Sequence, residues 1–293
     1  MASLKDIKRK IKSVKGTQKT TNAMKLVSSA KLRRAEQVAK NSKEYAVKIT
    51  EMIEEIAANI AKSQDELDHP YFKSVKNPKV VDLVVITSDK GLCGAFNSQT
   101  IKRVNSFIEE FESNGATVRL RVIGKKAIGY YKFMGRELLD AIEDLSSSPT
   151  YEKAAEFIGK VAQDYLDGKT DKVVIVHNGY VNMITQEIRV DYLLPLDPTE
   201  FTPKAVSASE LEVEPDDDAL LEALIKRYIE FVMYYDLLDS LAAEHSARMQ
   251  AMDAATNNAK EMVKTLTVQY NKARQAAITT ELIEIISGVE AMK

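Results

Sequence analysis

One apolar stripe in the C-terminal third of the chain limits its possible folds more than any other sequence feature. Between Leu221 and Thr280, steps of three and four residues meet apolar, aromatic or small side chains, and no Asp, Glu, Lys or Arg falls in that register. Neither Pro nor Gly occurs in the stripe, and the next Gly is Gly288. A stripe sustained over this length is typical of a coiled-coil helix. The stripe, called the seam below, comprises Leu221, Leu224, Tyr228, Phe231, Tyr235, Leu238, Ala242, His245, Met249, Met252, Thr256, Ala259, Val263, Leu266, Tyr270, Ala273, Ala277 and Thr280.

The seam requires a partner, and the first part of the chain supplies the obvious one. At 1.5 Å per residue the C-terminal helix is roughly 100 Å long, so it should project beyond a domain. Residues 3–62 also form a helical pattern, which starts with an N-cap arrangement of Ser3 and Asp6. Its apolar residues recur in two runs, which are Leu4, Ile7, Ile11 and Val14, and then Ala35, Val38, Tyr45, Ile49, Met52 and Ile56. We expect an antiparallel coiled coil, with one end of the longer helix standing alone or covered by another protein.

The middle of the chain has a different pattern, in which short β-branched runs alternate with helical segments. The expected strands are Val80–Thr87, Thr117–Ile123, Lys172–His177 and Ile188–Leu194, and the expected helices are 98–112, 125–134 and 151–167. This alternation predicts βαβ units and a mainly parallel sheet. The predicted fold class is therefore α/β plus a long antiparallel coiled coil. We expect three domains, which are an N-terminal coiled-coil helix at 1–65, a central α/β domain at 75–200 and a C-terminal coiled-coil helix at 210–293.

Composition and charge narrow the possible functions. One Cys excludes an intrachain disulfide, and three scattered His argue against a histidine-built metal site, so we expect neither a metal nor a cofactor. Residues 1–43 carry 13 Lys or Arg against Asp6 and Glu36, whereas the rest of the chain carries 28 basic and 41 acidic residues. A basic arm on an acidic body indicates an acidic partner, which could be a nucleic acid, an anionic lipid or a protein.

The glycine-containing segment Ser88–Asn97 is the one candidate ligand loop. It follows a strand and precedes a helix, but its glycines match neither the dinucleotide-binding nor the P-loop spacing. A structural turn is favoured over a phosphate-binding loop. The triplet 168–170 lacks the earlier glycine of a P-loop, because position 163 is Gln. Cys93 is interpreted as a small buried residue and not as a nucleophile. His245 is interpreted as a polar residue of the coiled-coil core. The sequence therefore contains no recognisable set of catalytic residues.

Three stretches resemble the gamma subunit of the F-type, proton-translocating ATP synthase of bacteria. They are Ile7–Ala35, Ser88–Asn97 and Glu244–Gly288, the last including EHSARMQAMDAATNNA and YNKARQAAITTELIEIISG. Their order fits the family across essentially the whole chain. Val289 stands where the family signature usually has Ala, which is a conservative departure.

The resemblance implies a non-catalytic rotor shaft that couples transmembrane proton flow to ATP synthesis and hydrolysis at the beta subunits. The implied partners are the alpha, beta and epsilon subunits and the membrane rotor ring of c subunits, with membrane association through these partners only. The implied location is the cytoplasmic side of a bacterial plasma membrane. The implied beta-subunit contacts are Met24, Lys25, Arg248, Gln275, Thr279 and Glu281, and the family's motif turn maps to Asp89, Gly91, Cys93, Gly94 and Asn97.

Two other functions remain open from the residues alone. The basic arm is compatible with a coiled-coil nucleic-acid-binding protein, whose DNA binding would depend steeply on salt. The arm lacks aromatic interleaving and any recognised nucleic-acid-binding signature. The segment Gly91–Gly94 is compatible with a small-ligand α/β enzyme, which would show saturable nucleotide binding.

Overall fold

The computed structural model describes residues 3–62, 70–73, 75–196 and 217–292. The chain divides into two compact units. One unit, called the helix-pair unit, contains the residues up to Ser29 and those from Arg248 onward, and the other, called the sheet unit, is Ala30–Ala247. The predicted three-domain division at 1–65, 75–200 and 210–293 stays a prediction.

The elements follow the order that the sequence pattern indicates, with one additional strand. They are α1 (Leu4–Lys62), a short 3-10 helix (Pro70–Phe72), β1 (Val80–Ile86), α2 (Phe96–Ser113), β2 (Thr117–Ile123), α3 (Lys125–Phe133), β3 (Leu138–Ile142), α4 (Tyr151–Leu166), β4 (Lys172–Tyr180), β5 (Gln186–Leu194) and α5 (Asp217–Glu290). The N-cap expected for α1 is present, since the Asp6 N–H donates to Ser3 Oγ at 3.2 Å and Ser3 Oγ donates to Asp6 Oδ2 at 2.8 Å. The strand β3 is the element that the sequence analysis missed.

The sheet unit contains a five-stranded mixed sheet in the order β3-β2-β1-β4-β5. The first four strands run parallel and β5 pairs antiparallel with β4. The prediction of a mainly parallel α/β fold is therefore confirmed. The central strands β1 and β4 are buried along almost their whole length, as expected for strands covered on both faces.

Two apolar cores cover the two faces of this sheet. On one face, residues of α2 and α3 such as Val104, Phe107 and Ile128 pack on alternate residues of the strands. On the other face, α4 and the first part of α5 pack on the remaining strand residues, and Ile49 of α1 joins this core. The sheet unit therefore has three layers, and α5 contributes to one of them in addition to its coiled-coil role.

The helix-pair unit confirms the antiparallel coiled coil. The Oγ1 atoms of Thr21 and Thr256 lie 2.7 Å apart, and Lys25 Nζ donates to Asp253 Oδ1 at 2.6 Å. Moving forward along α1 thus moves backward along α5, as antiparallel helices require. Beyond Asn258, the described side chains that are buried or half-buried are all seam positions, namely Ala259, Val263, Leu266, Tyr270, Ala273 and Ala277.

The predicted apolar stripe of α1 needs correction in its second half. Val38 and Met52 are exposed, whereas Ser28 and Leu32 are buried. The predicted positions Ala35 and Ile49 are buried, but the buried face of α1 also includes the polar residues Thr21 and Ser28, which a count of apolar residues cannot place. The side chains of Ile56 and Leu221 lie outside the described residues. Among the helices that the structure describes, none combines the length and the apolar character needed to span a membrane.

Candidate functional site

Three of the predicted partner-contact residues lie near one level of the helix-pair unit. Met24 and Lys25 are half-buried on α1, and the ion pair of Lys25 with Asp253 places them beside the part of α5 that begins with Arg248. Arg248 precedes Asp253 by five residues, which is roughly 8 Å along a helix. Arg248 is only 8% exposed, so most of its side chain contacts its own chain.

The other three predicted contact residues lie far along α5 and are all exposed. Thr279 Oγ1 donates to the carbonyl oxygen of Gln275 at 3.0 Å, so these two residues share one helix face. Glu281 follows two residues later on α5. Gln275 lies 27 residues beyond Arg248, which corresponds to roughly 40 Å along the helix. The structure therefore separates the six residues into two groups.

The last turns of α5, together with Met292 just after its end, carry exposed apolar side chains. These side chains, called the apolar tip below, are Ile278, Leu282, Ile283, Ile285, Ile286, Val289 and Met292. Thr21 lies opposite Thr256, and both helices rise equally per residue. The first residue of α1 therefore lies opposite about residue 273 of α5. The apolar tip thus extends beyond the paired part of α5, as expected from the unequal helix lengths.

The basic residues of α1 face solvent. Those described as exposed are Lys5, Lys8, Arg9, Lys10, Lys12, Lys15, Lys19, Lys31, Arg33, Arg34, Lys40 and Lys48. Arg9 pairs with Asp6 within the same helix, at 2.8 Å. The clustered positive charge on one exposed helix favours a partner surface of opposite sign.

The motif turn satisfies its own polar groups. The Ser88 N–H donates to Asn97 Oδ1 at 2.9 Å, and Asn97 Nδ2 donates to Ser88 Oγ at 2.8 Å. Asp89 Oδ1 accepts the backbone N–H groups of Lys125 and Asp144, at 3.1 and 3.2 Å, and Asp89 Oδ2 accepts from Ser146 Oγ. A loop whose donors and acceptors are used internally has few left for a phosphate.

The same turn packs against α5. In an open α/β sheet, ligands bind at the carboxyl ends of the strands where the strand order reverses, and the turn after β1 occupies that position here. Cys93 and Phe96 pack against Ala243 and Ala247 of α5. The small side chains of α5 allow this close approach, and a helix fills the place of a ligand. The interpretation of the segment as a structural turn, and of Cys93 as a small buried residue, agrees with this packing.

The P-loop-like triplet also has a structural role. Thr170 Oγ1 donates to the carbonyl oxygens of Val80 and Lys172, at 3.2 and 3.1 Å. Gly168 has a positive φ of 70° and ends α4.

His245, interpreted as a polar core residue, is buried on α5.

One contact in the sheet unit escaped the sequence analysis. Tyr180 Oη donates to Glu36 Oε1, which joins the end of β4 to α1. Burial raises the pKa of the Tyr180 hydroxyl above its usual value, and the hydrogen bond with Glu36 adds to the shift. Glu36 is one of only two acidic residues among residues 1–43. Its isolation within a basic arm was the one sequence feature that could have indicated this contact.

Comparisons with known proteins agree over the whole chain. A family model described as ATP synthase matches residues 3–292. The chain is 64% identical over 295 residues to the ATP synthase gamma chain of Sulfurovum sp., with 100% of both chains covered. It is 56% identical over 296 residues to the ATP synthase gamma chain of Campylobacter jejuni, again with 100% of both chains covered.

Solved structures show the same fold. A chain of the Tetrahymena thermophila mitochondrial ATP synthase central stalk and c-ring structure is 26% identical, with a TM-score of 0.62, and the match covers 80% of this chain and 99% of that chain. A chain of the Euglena gracilis mitochondrial ATP synthase structure, described as OSCP/F1/c-ring, is 19% identical, with a TM-score of 0.66. That match covers 99% of this chain and 94% of the other.

Proposed function

This chain belongs to the gamma-chain family of the ATP synthases, and from that premise we propose that it is the central rotor shaft of such an enzyme. It couples transmembrane proton flow to ATP synthesis and hydrolysis at the beta subunits by rotation, and it carries no catalytic site of its own. The observation that carries the proposal is the antiparallel helix pair, whose longer helix ends in the exposed apolar tip.

The helix pair explains how a shaft can act on catalytic sites without performing chemistry. A binding partner shifts a conformational equilibrium only if it contacts the two states differently. The two helices of the pair offer different chemistry, since α1 presents basic side chains whereas the exposed side chains of the paired part of α5 include Glu261, Met262 and Val268. When such a pair turns inside a ring of alternating alpha and beta subunits, each beta subunit meets a different face in turn.

The sheet unit has its own role in the proposed function. It contacts the epsilon subunit and the ring of c subunits, and membrane association is peripheral, through these partners. The proposed location is the cytoplasmic side of a bacterial plasma membrane. The homologues from bacteria and the family assignment support this placement.

The two alternative functions have less support. A small-ligand enzyme would need an open crevice at the Gly91–Gly94 segment, which α5 covers through Ala243 and Ala247. A nucleic-acid-binding protein would account for the basic arm but leaves the apolar tip of α5 without a function.

The test of the rotor function is assembly followed by direct observation of rotation. We expect the full chain, co-expressed with its alpha and beta subunits, to purify with both in threefold excess. Cys93 is buried and is the only Cys of the chain, so a Cys introduced at the exposed Phe133 of a Cys93→Ala variant labels one surface position. A bead attached there should turn in one direction when ATP is added.

Two results would contradict the rotor function. One is failure of the chain to assemble with alpha and beta subunits. The other is saturable nucleotide binding by the isolated full chain that Gly91→Val abolishes, which would favour the enzyme alternative. A bead attached to a beta subunit serves as the control for surface motion, since it should stay fixed when the alpha–beta ring is immobilised.

We also infer that the proposed beta-subunit contacts form two independent tiers. The first tier contains Met24, Lys25 and Arg248, and the second contains Gln275, Thr279 and Glu281. The ion pair between Lys25 and Asp253 supports the first grouping, and the roughly 40 Å along α5 separates it from the second. A single beta loop that meets a straight helix at one level cannot reach both.

A double-mutant cycle tests the tiers. The effects of Arg248→Ala and Gln275→Ala on ATP-driven rotation should add to within about 0.5 kcal/mol, as expected for distant sites without shared contacts. Lys272→Ala is the control, because Lys272 is exposed on α5 near Gln275 but is outside both tiers. Thermal unfolding of each variant checks that replacing the buried Arg248 has not disrupted the helix pair. Strong coupling between the two substitutions would mean one shared contact.

A further inference from the structure

A cluster of ionisable side chains lies inside the sheet unit, between the β4–β5 hairpin and α5. His177 lies on β4, Asp191 on β5, and Asp236 on α5. His177 is 1% exposed and Asp236 is 3% exposed, so both are removed from bulk solvent. The proposed rotor function makes no use of this cluster.

The hydrogen bonds of Asp239 determine which nitrogen of His177 carries a proton. Asp239 Oδ2 accepts from Arg189 Nη1 at 2.9 Å, and Asp239 Oδ1 accepts the Tyr180 N–H at 3.2 Å. His177 Nε2 lies 3.2 Å from Asp239 Oδ2. Because an ionised carboxylate only accepts hydrogen bonds, Nε2 is the donor in this contact. Neutral His177 therefore directs the lone pair of Nδ1 away from Asp239.

Three atoms on the other side of His177 lack partners. His177 Nδ1, Asp191 Oδ2 and Asp236 Oδ2 are buried and make no hydrogen bond in the structure. His177 Nδ1 and Asp191 Oδ2 lie 3.5 Å apart. One ligand atom from each of the three residues lies within 4.8 Å of the others. Buried polar atoms without partners are costly, so three that converge on one point need an explanation.

The charges around this point leave a deficit of positive charge. Asp191, Asp236 and Asp239 carry three negative charges when ionised, whereas Arg189 supplies one positive charge in contact with Asp239. When the three carboxylates are ionised and His177 is neutral, a cation of charge two balances the cluster.

We propose that His177 Nδ1, Asp191 and Asp236 bind a divalent transition-metal ion such as Zn²⁺. One imidazole nitrogen and two carboxylate oxygens suit this ion, whose ligands lie about 2.0–2.2 Å from the metal and hence roughly 3.3 Å from one another. Asp239 orients the imidazole through Nε2–H, as a carboxylate commonly does for a metal-binding His. The Asp191 side chain is 42% exposed, which provides a path for the ion.

The site would tie β4 and β5 to α5. This proposal revises the expectation from the sequence that the chain has no metal site. That expectation rested on the small number of His, but one His with two carboxylates and a solvent molecule completes a four-coordinate site. The site shares no residue with the two proposed contact tiers and is independent of the rotor proposal.

Titration with Zn²⁺ tests the site in the full chain. After treatment with a chelator, calorimetric titration should show one Zn²⁺ bound per chain, and bound Zn²⁺ should raise the melting temperature. Asp236→Asn should weaken binding about 10- to 100-fold. The metal-free Asp236→Asn variant should melt no lower than the wild type, because the substitution removes an unpaired buried carboxylate. Glu109→Gln, on the exposed side of α2, is the matched control and should bind Zn²⁺ like the wild type.

Two further measurements keep the result decisive if Asp236→Asn folds poorly. Asp191→Asn changes a partly exposed ligand and should weaken Zn²⁺ binding comparably. Co²⁺ bound to the wild type should give the visible absorption bands of a low-coordinate nitrogen and oxygen site, and Zn²⁺ should displace it. Absence of saturable Zn²⁺ binding by the wild type, or equal binding by the wild type and Asp191→Asn, would overturn the proposal.

Discussion

Replacing Arg121 by Met is expected to lower the free energy of unfolding of the sheet unit by about 3–5 kcal/mol. Arg121 lies on β2 and its side chain is 3% exposed. Its guanidinium donates from Nε to Asp82 Oδ2 at 2.7 Å, from Nη1 to Asp140 and from Nη2 to Asp164. These carboxylates come from β1, β3 and α4, so one cation holds four elements together.

The size of this effect follows from the carboxylates that remain. The Asp82 side chain is 0% exposed, and Arg119 also binds it, with Nε to Oδ1 at 2.6 Å. Arg119 still binds Asp82, and Lys169 still pairs with Asp164 at 3.0 Å, but the three carboxylates lose the one cation that contacts all of them. Breaking a buried ion pair by removing one partner is far more costly than losing an exposed pair, because the remaining charge stays buried.

Arg136→Met is the matched control for this prediction. Arg136 also pairs with a carboxylate, that of Glu112, but both side chains are about 40% exposed. Its loss should cost less than about 1 kcal/mol. Urea unfolding of the two variants and the wild type, followed by circular dichroism, measures the difference. Equal destabilisation by the two substitutions would show that burial of the Arg121 cluster does not determine its contribution.

The seam was predictable because its periodicity is repeated over many turns. From Ala259 to Ala277 the positions are buried or exposed as the heptad pattern requires, since there α5 has one neighbouring helix and one buried stripe. The last seam residue, Thr280, is exposed. In the sheet unit the same helix also packs on β-strands. Asp236 and Asp239 are outside the seam register, so the coiled-coil pattern placed them in solvent, yet both are buried. A periodicity argument assumes one buried face and cannot find a second.

The short strand β3 and the Arg121 cluster were missed for a related reason. β3 has five residues, Leu138–Ile142, and its side chains alternate between half-buried and exposed, so it lacks the continuous apolar run of β1 or β4. The segment Thr117–Ile123 was correctly predicted as a strand. The sequence around Arg119 and Arg121 did not indicate that carboxylates contact them. These carboxylates, which belong to Asp82, Asp140 and Asp164, are distant in sequence. Likewise the motif turn was identified as structural, but not its partners on α3 and α5.

Replacing Gly124 by Ala is expected to destabilise the sheet unit by about 4 kcal/mol, combining backbone strain with overpacking. Gly124 joins β2 to α3 with a φ of 100°, which side chains of L residues rarely adopt. A Cβ atom at this position would lie 2.1 Å from the carbonyl oxygen of Thr87. Neither backbone can move freely, because the Gly124 N–H donates to the carbonyl oxygen of Ile142 at 2.9 Å, and the Thr87 N–H donates to that of Ile123 at 2.9 Å.

Gly115→Ala separates the two contributions to this effect. Gly115 also has a positive φ, of 84°, but nothing lies within 4 Å of the position that its Cβ would take. That substitution should therefore cost only the strain of the left-handed conformation, about 1–2 kcal/mol. Denaturant unfolding of both variants gives the difference, and hydrogen exchange at Thr87 and Ala127 should report local opening in Gly124→Ala, because Thr87 Oγ1 accepts the Ala127 N–H at 3.1 Å. If the two variants unfold at the same denaturant concentration, the close approach between β1 and the start of α3 is not what requires glycine at position 124.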